Sequence, residues 1–212
     1  IMVDAHTWWK LGDNAYTATQ RDRVIQAYAE QDVFWLEEPV EPSDHAAYEQ
    51  LSVRTSVPLA GGESEANADG LVDLAAHVAF LQGDVRHHAG YAGCWRAAEA
   101  CRSGPTRFVP HHFGTLLGLV ANAHLVAAIG GDLLEYPVFE DDPNLAVPAG
   151  APLDDPGMYP NPLAFDILEG DLEFVDGCLQ LPDGPGLGVT VDTDCIDDYP
   201  FREGAWTEFE YE

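Results

Sequence analysis

The sequence predicts an α/β fold with a parallel sheet, on two observations. Over residues 1–137, short apolar runs alternate with segments that carry apolar residues at helical spacing. Six runs and five segments alternate strictly, which favours a parallel sheet that is either open or closed into a barrel. The runs are 1–3, 33–36, 57–60, 78–82, 107–109 and 132–134. The segments are 21–30, 45–53, 67–77, 91–102 and 116–129.

Capping residues indicate where several of these helices begin and end. Asp44 precedes the second helical segment, and Asn67 or Asp69 stands near the start of the third. The side-chain oxygen of such a residue accepts a hydrogen bond from an N–H group of the first helical turn. Gly130 follows the fifth segment and predicts its end, because glycine readily takes the left-handed conformation found after helices.

The sequence changes character after the last of these runs. Pro, Gly and Asp are frequent over 143–162, which predicts a loop. Further along, two apolar runs flank Asp176 and Gly177, a pair typical of a β-hairpin turn. We therefore expect one domain over 1–137 and a loop-and-hairpin segment over 138–212 that packs against a neighbouring element.

The charge of the chain limits its partners. A formal charge of −28, from 37 acidic and 9 basic residues, makes nucleic acid and anionic membranes poor partners. The acids are scattered along a chain of ordinary apolar content, which favours a halophilic protein that works in concentrated salt. No apolar stretch approaches the length of a membrane span and no signal-peptide pattern is present, so we expect a soluble, cytoplasmic protein.

Three acidic residues follow the first three apolar runs at the same position. Asp4, Glu37 and Glu63 would meet at the C-terminal edge of the sheet if these runs are neighbouring parallel strands. Carboxylate oxygens are the ligands that Mg²⁺ prefers, so the pattern predicts a Mg²⁺ site. Any one of the three could instead be a solvated loop residue of an acidic chain, but three at one position favour the metal site.

The same position after the next three runs is occupied by Asp84, His111 and Glu135. A carboxylate α-proton is weakly acidic, so an enzyme that removes it must stabilise the resulting enediolate, for example with Mg²⁺. A histidine that is hydrogen-bonded to an aspartate is a suitable base, and His111 with Asp84 fits that role. Glu135, if protonated, could donate a hydrogen bond to the substrate carboxylate.

An ordered set of motifs over residues 1–137 resembles the mandelate racemase subgroup of the enolase superfamily. The motifs are Met2-Val3-Asp4-Ala5, Trp35-Leu36-Glu37-Glu38-Pro39, Gly62-Glu63, Gln82-Gly83-Asp84-Val85, Pro110-His111 and Leu134-Glu135-Tyr136-Pro137. The resemblance implies the C-terminal portion of a TIM-like, modified (β/α)7β barrel. Strands 3–8 would be present, while the first strands and an N-terminal capping domain would be missing from this chain. It also implies the roles of the site residues: Mg²⁺ ligands Asp4, Glu37 and Glu63, the acid/base pair His111 and Asp84, and the carboxylate partner Glu135.

His6 refines the expected reaction. A histidine two residues after the first metal ligand resembles galactonate- and mannonate-type sugar-acid dehydratases, which implies that His6 is the general acid for the departing hydroxyl. Residues two apart on a strand lie on the same side, so the geometry allows this role. His6 could instead hydrogen-bond a loop beside Trp8 and Trp9. His112 leaves open which of two adjacent imidazoles faces the site.

These observations predict a Mg²⁺-dependent lyase that dehydrates a sugar acid to a 2-keto-3-deoxy acid. Its partner would be a small-molecule carboxylate, and the family resemblance implies a homo-oligomer. The same site could return the proton to the opposite face and act as a racemase or epimerase. A further alternative is an inactive truncated remnant or a binding subunit.

Overall fold

The computed structural model of the protein describes residues 1–6, 8–9, 12, 15–136 and 163–198. Five strands form one parallel sheet in which each strand pairs with the next along the chain. The strands are β1 (Met2–Asp4), β2 (Trp35–Glu37), β3 (Leu59–Gly61), β4 (Phe80–Leu81) and β5 (Arg107–Phe108). The predicted parallel α/β sheet is confirmed.

Five helices alternate with or follow these strands. They are α1 (Ala18–Glu30), α2 (His45–Ser52), α3 (Ala68–Leu74), α4 (Gly90–Cys101) and α5 (Leu116–Ile129). The predicted caps are confirmed: Asp44 accepts from the first turn of α2, and Asn67 accepts from that of α3. Gly130 follows α5 with a φ of 72°. Helix α1 begins earlier than predicted because Thr17 and Gln20 form a reciprocal capping box.

The predicted strand over 132–134 is wrong, because the parallel sheet of the described residues contains five strands. The N–H groups of Arg107 and Val109 donate to the β4 side. Backbone groups alternate along a strand, so Phe108 and Pro110 face the side where a sixth strand would pair. Proline has no N–H group and cannot donate to a ladder there.

The chain divides into two compact units, residues 1–111 with 125–134 and residues 112–124 with 135–212. In the first unit, neighbouring strand residues point to opposite faces of the sheet. Leu36 and Leu81 pack with the helices, whereas Trp35 and Phe80 join a cluster on the other face. Burial on both faces explains why these strands are continuous apolar runs.

The second unit includes two short helices and a hairpin. These are α6 (Leu163–Asp166), β6 (Phe174–Val175), β7 (Cys178–Leu179) and α7 (Asp194–Asp198). Strands β6 and β7 are antiparallel, and the predicted turn is confirmed, with φ of 51° at Asp176 and 77° at Gly177. The loop predicted over 143–162 lies outside the described residues. No described helix has the length and apolar character required to cross a bilayer.

Candidate active site

The three predicted metal ligands lie at the C-terminal edge of three adjacent strands. Asp4 ends β1 and Glu37 ends β2, and the two residues are paired in register. Glu63 follows two residues after the last residue of β3. The carboxyl ends of parallel strands meet at one edge of a sheet, so the three acids share one rim, as the sequence predicts.

His111 joins this rim to the end of β4. Its Nε2 lies 2.8 Å from a carboxylate oxygen of Glu63, and its Nδ1 lies 3.2 Å from Oδ2 of Asp84. An imidazole donates to two carboxylates at once only when both of its nitrogens carry protons. The structure therefore places the predicted base between its predicted aspartate partner and a predicted metal ligand.

Asp84 is completely buried and is also bound by Arg86, which sequence reasoning missed. The Nε of Arg86 donates to both carboxylate oxygens, at 3.1 and 2.9 Å, and its backbone N–H donates to Oδ1 at 2.8 Å. Burial by itself raises the pKa of Asp84, but hydrogen bonds from His111 and Arg86 outweigh it and hold the pKa well below its ordinary value. A cation two residues after the predicted aspartate, in a chain with 9 basic residues, was the available signal.

His6 binds the first acid of the rim. Its Nδ1 lies 3.0 and 2.9 Å from the two carboxylate oxygens of Asp4, and its backbone N–H donates to Oδ1 at 3.0 Å. Partial burial raises the pKa of Asp4, but these hydrogen bonds outweigh it and lower the pKa overall. Trp9, which lies near His6 in the sequence, donates its indole N–H to the carbonyl of Glu38.

The two glutamates at the end of β2 have different surroundings. Glu38 has a left-handed backbone and is fully buried, and its carboxylate accepts from the N–H and hydroxyl groups of Ser64. Burial, and then the negative charge of Glu63, raise the pKa of Glu38 to about 7. Glu38 is thus held by Ser64, next to the predicted ligand Glu37 at the end of β2.

The donor chemistry of this rim fits a divalent cation. Asp4, Glu37 and Glu63 supply carboxylate oxygens, which Mg²⁺ prefers. Among the residues that the structure describes, no group of three or more His, Cys, Asp or Glu side chains has the spacing of a metal site. In this arrangement Asp4 and Glu63 instead bind histidines.

Glu135 and His112 belong to the second unit. The carboxylate Oε2 of Glu135 accepts a hydrogen bond from the backbone N–H of His112 at 2.7 Å. The side chain of His112 is buried, whereas that of His111 contacts the acids of the first unit. Of the two adjacent histidines, His111 therefore has the geometry expected of a base.

His88 lies in the loop that follows β4. Its imidazole is completely buried between the loop that follows β3 and the loop that follows β4. Its Nδ1 accepts from the backbone N–H of Asp84, and its Nε2 donates to the carbonyl of Glu65, both at 2.9 Å. Burial lowers the pKa of His88 and favours its neutral form.

Comparisons with known proteins show the family of the chain. The family described as Enolase C-terminal domain-like matches residues 1–195. D-galactarolactone cycloisomerase from Agrobacterium fabrum is 27% identical over 201 residues, which cover 94% of this chain and 48% of that protein. D-xylonate dehydratase from Haloferax volcanii is 25% identical over 186 residues, covering 86% of this chain and 40% of that protein.

A solved structure also matches the fold of the chain. The crystal structure of the 3,6-anhydro-D-galactonate cycloisomerase from Zobellia galactanivorans matches with a TM-score of 0.73 at 26% identity. The match covers 93% of this chain and 49% of that one. The chain thus spans about half the length of these relatives or less.

Proposed function

Since the chain belongs to the enolase superfamily and to its mandelate racemase subgroup, we propose that it removes the α-proton of a sugar acid in a Mg²⁺-dependent reaction. The 3-hydroxyl group is then expelled as water. The product would be a 2-keto-3-deoxy acid. The observation that carries this proposal is the placement of His111 between Asp84 and Glu63, on the rim that also holds Asp4 and Glu37.

Asp4, Glu37 and Glu63 would hold Mg²⁺, which when bound supplies the positive charge that an enediolate needs. Sugar-acid hydroxyl and carboxylate groups are polar, so a rim rich in hydrogen-bonding side chains suits such a substrate. The name of the Haloferax volcanii relative, a dehydratase of a sugar acid, supports the same substrate class.

His111 would act as the base. Asp84 accepts from Nδ1 and thereby fixes the ring orientation, which leaves Nε2 as the atom that takes the α-proton. In the structure Nε2 contacts Glu63, so this contact has to open, and Nε2 has to be unprotonated, before the α-proton is transferred.

His6 would protonate the leaving hydroxyl group. Its Nδ1 is held by Asp4, so a protonated ring presents its other N–H to the substrate. The C–H bond breaks at His111, the C–O bond breaks as His6 donates its proton, and the resulting enol converts to the keto acid. Glu135 would bind the substrate carboxylate if it is protonated.

Cycloisomerisation is the second candidate, because two of the relatives described above carry that name. It would share the α-proton abstraction by His111. The C–O bond that breaks would then belong to a ring of the substrate, so no water would be released.

The first test is α-proton exchange in D₂O, followed by NMR with sugar acids and their lactones in concentrated KCl. We expect exchange with Mg²⁺, no exchange with EDTA, and a loss of about 10²–10⁴-fold in His111→Asn. His77→Asn is the matched control, because His77 lies in the segment that enters β4, at the opposite end of the strands. Its activity should equal that of the wild type.

The product then separates the candidates. Loss of the 3-hydroxyl identifies a dehydratase, a ring-opened isomer identifies a cycloisomerase, and an inverted centre with all hydroxyls retained identifies a racemase or epimerase. Mg²⁺-independent exchange, or no exchange with any of these acids, would contradict the proposal and favour a remnant or a binding subunit.

A further inference from the structure

Glu63 projects from a tight turn that closes directly after β3. The N–H of Glu65 donates to the carbonyl of Gly62 at 3.2 Å, so Glu63 and Ser64 are its two central residues. Gly62 has a φ of 128°, and a Cβ there would lie 2.8 Å from a methyl group of Leu71. The close packing of Gly62 against Leu71 therefore fixes the first residue of the turn. The later residues of the turn contact neighbouring loops.

Glu38 holds this turn from the β2 side. One carboxylate oxygen accepts from the N–H of Ser64 at 3.3 Å, and the other accepts from its hydroxyl at 3.1 Å. Glu38 is itself fixed, because its N–H donates to Ala60 of β3 and its carbonyl accepts from the indole of Trp9. Its φ of 40° lies in a region that side-chain-bearing residues rarely adopt. Such backbone persists only where the surroundings determine it, and the burial of Glu38 meets that condition.

His88 holds the same turn from the β4 side. Its Nε2–H donates to the carbonyl of Glu65, and its Nδ1 accepts from the N–H of Asp84. Nδ1 also lies 3.2 Å from the carbonyl of Asp84, but the carbonyl of Glu65 at Nε2 can only accept, so the neutral ring carries its proton on Nε2. One side chain therefore joins the turn of Glu63 to the residue that orients His111.

The partners of His88 are held in place as well. The carboxylate of Glu65 lies 2.5 Å from Nε2 of His45, at the start of α2. Helix α4 packs so closely on the carbonyl of His88 that a Cβ at Gly93 would lie 1.8 Å from that oxygen. The hydrogen bond between His88 and Glu65 therefore joins two restrained loops.

We infer that Glu38 and His88, which we call the clamp, are positioning residues that fix the Glu63 turn from its two sides and set its distance from Asp84. Neither residue belongs to the predicted metal ligands or to the acid/base pair. The catalytic consequence rests on the proposed function, because it assumes that Glu63 binds Mg²⁺. Residues that orient metal ligands typically change affinity or activity by about 10–100-fold when they are removed.

The test compares Glu38→Ala and His88→Ala with Glu38→Gln and His88→Gln. The glutamine side chain carries one acceptor and one donor, so it can keep part of either set of contacts. We expect the alanine variants to bind Mg²⁺ about 10–100-fold more weakly by calorimetry and to lose kcat more than they raise KM. The glutamine variants should retain most of the Mg²⁺ affinity and most of kcat. His77→Ala serves as the control.

A second readout needs neither metal nor substrate. In the apo protein, ¹⁵N NMR should show His88 protonated at Nε2 alone. Amide exchange at Ser64 and Glu65 should be slow in the wild type and at least about tenfold faster in the alanine variants. If an alanine variant does not fold, the wild-type tautomer and the glutamine variants still decide the matter.

The possible outcomes separate the clamp from the proposed function. Folded alanine variants with wild-type Mg²⁺ affinity, kcat and amide exchange would overturn the clamp, as would a wild-type His88 protonated at Nδ1. Absence of Mg²⁺ binding in the wild type, with slow amide exchange that the alanine variants lose, would overturn the proposed function and keep the clamp as a structural feature.

Discussion

At the scale of single residues, Asp84 concentrates the electrostatics of the site. Its carboxylate is completely buried and accepts hydrogen bonds from both Arg86 and His111. A buried carboxylate is tolerable only with such partners, because its desolvation is costly. Arg86 thus supports the acid/base pair, since it helps to neutralise the charge that would otherwise be left inside the protein.

Arg86→Gln should destabilise the fold by about 3 kcal/mol at neutral pH, because it leaves the buried carboxylate of Asp84 without its cation. In an Asp84→Asn background the same change should cost less than about 1 kcal/mol, since no charge remains to be paired. Urea unfolding of the two single variants and the double variant measures this difference. Equal costs in both backgrounds would contradict the pairing.

The exposed pair between Arg96 and Asp69 provides the matched control. These side chains are 54% and 82% exposed, so solvent screens their interaction. Arg96→Gln should therefore change the free energy of unfolding by no more than about 0.5 kcal/mol.

The contribution of the Asp84 carboxylate to stability should also depend on pH. The folded-state pKa of Asp84 is lowered, so its ionised form stabilises the fold above the unfolded pKa of about 3.9. This stabilisation is lost as the pH falls through the folded pKa. The difference between wild type and Asp84→Asn should accordingly hold from neutral pH to about pH 4 and shrink below it.

At the scale of elements, the start of α4 depends on its contact with the loop that follows β4. Ala89 and Gly90 both have positive φ, at 59° and 66°, and Ala89, the residue before the helix, makes no side-chain hydrogen bond to its first turn. The contact between Gly93 and the carbonyl of His88 therefore fixes where the helix begins relative to Asp84. This close approach couples the helix to the site.

Gly93→Ala should destabilise the protein by about 1–3 kcal/mol, although alanine has the higher helix propensity, because the added methyl group cannot fit against the carbonyl of His88. Gly104→Ala is the matched control, since a Cβ there meets nothing within 4 Å. Its effect should stay within about 0.5 kcal/mol in thermal or urea unfolding. A neutral or stabilising Gly93→Ala would show that α4 is free to shift.

Local features of this fold could be predicted from the sequence, whereas contacts between loops could not. Asp44 and Asn67 cap helices through residues two or three positions away, so their role is visible in the sequence itself. The absence of a sixth strand among the described residues is explained by Pro110, whose nitrogen faces the free side of β5 and carries no hydrogen to donate. Which side of β5 this nitrogen faces is known only from the hydrogen bonds of the sheet. The contacts of His88 could not be predicted for the same reason, because its partners include Glu65, which lies 23 residues earlier.

The candidate site shows the same division. Asp4 and Glu37 each end a strand and Glu63 follows two residues after β3, so their common rim could be predicted from the apolar runs that precede them. Their engagement with His6 and His111 required the positions of the side chains. The roles of these residues in metal binding and catalysis stay predictions until exchange and metal binding are measured.

At the scale of the whole molecule, negative charge dominates. The chain carries a formal charge of −28, and five of its 9 basic residues form arginine–carboxylate ion pairs among the described residues. Self-repulsion of this size destabilises the compact state and is relieved by salt. The Debye length falls from about 10 Å at 0.1 M to about 3 Å at 1 M, so the relief should be nearly complete by the latter concentration.

The melting temperature should therefore rise steeply with KCl below about 0.5 M and level off near about 1 M, the range in which screening saturates. Each kcal/mol of repulsion removed corresponds to about 2–4 °C for a chain of this size. Sucrose of equal osmolality is the control, because it favours compaction by exclusion from the surface without screening charge. A melting temperature that follows sucrose as closely as KCl, or that ignores salt below about 0.5 M, would contradict the halophile hypothesis. Such a result would mean that the apolar core stabilises the fold sufficiently without charge screening. The scattered acids would then be explained by solubility alone.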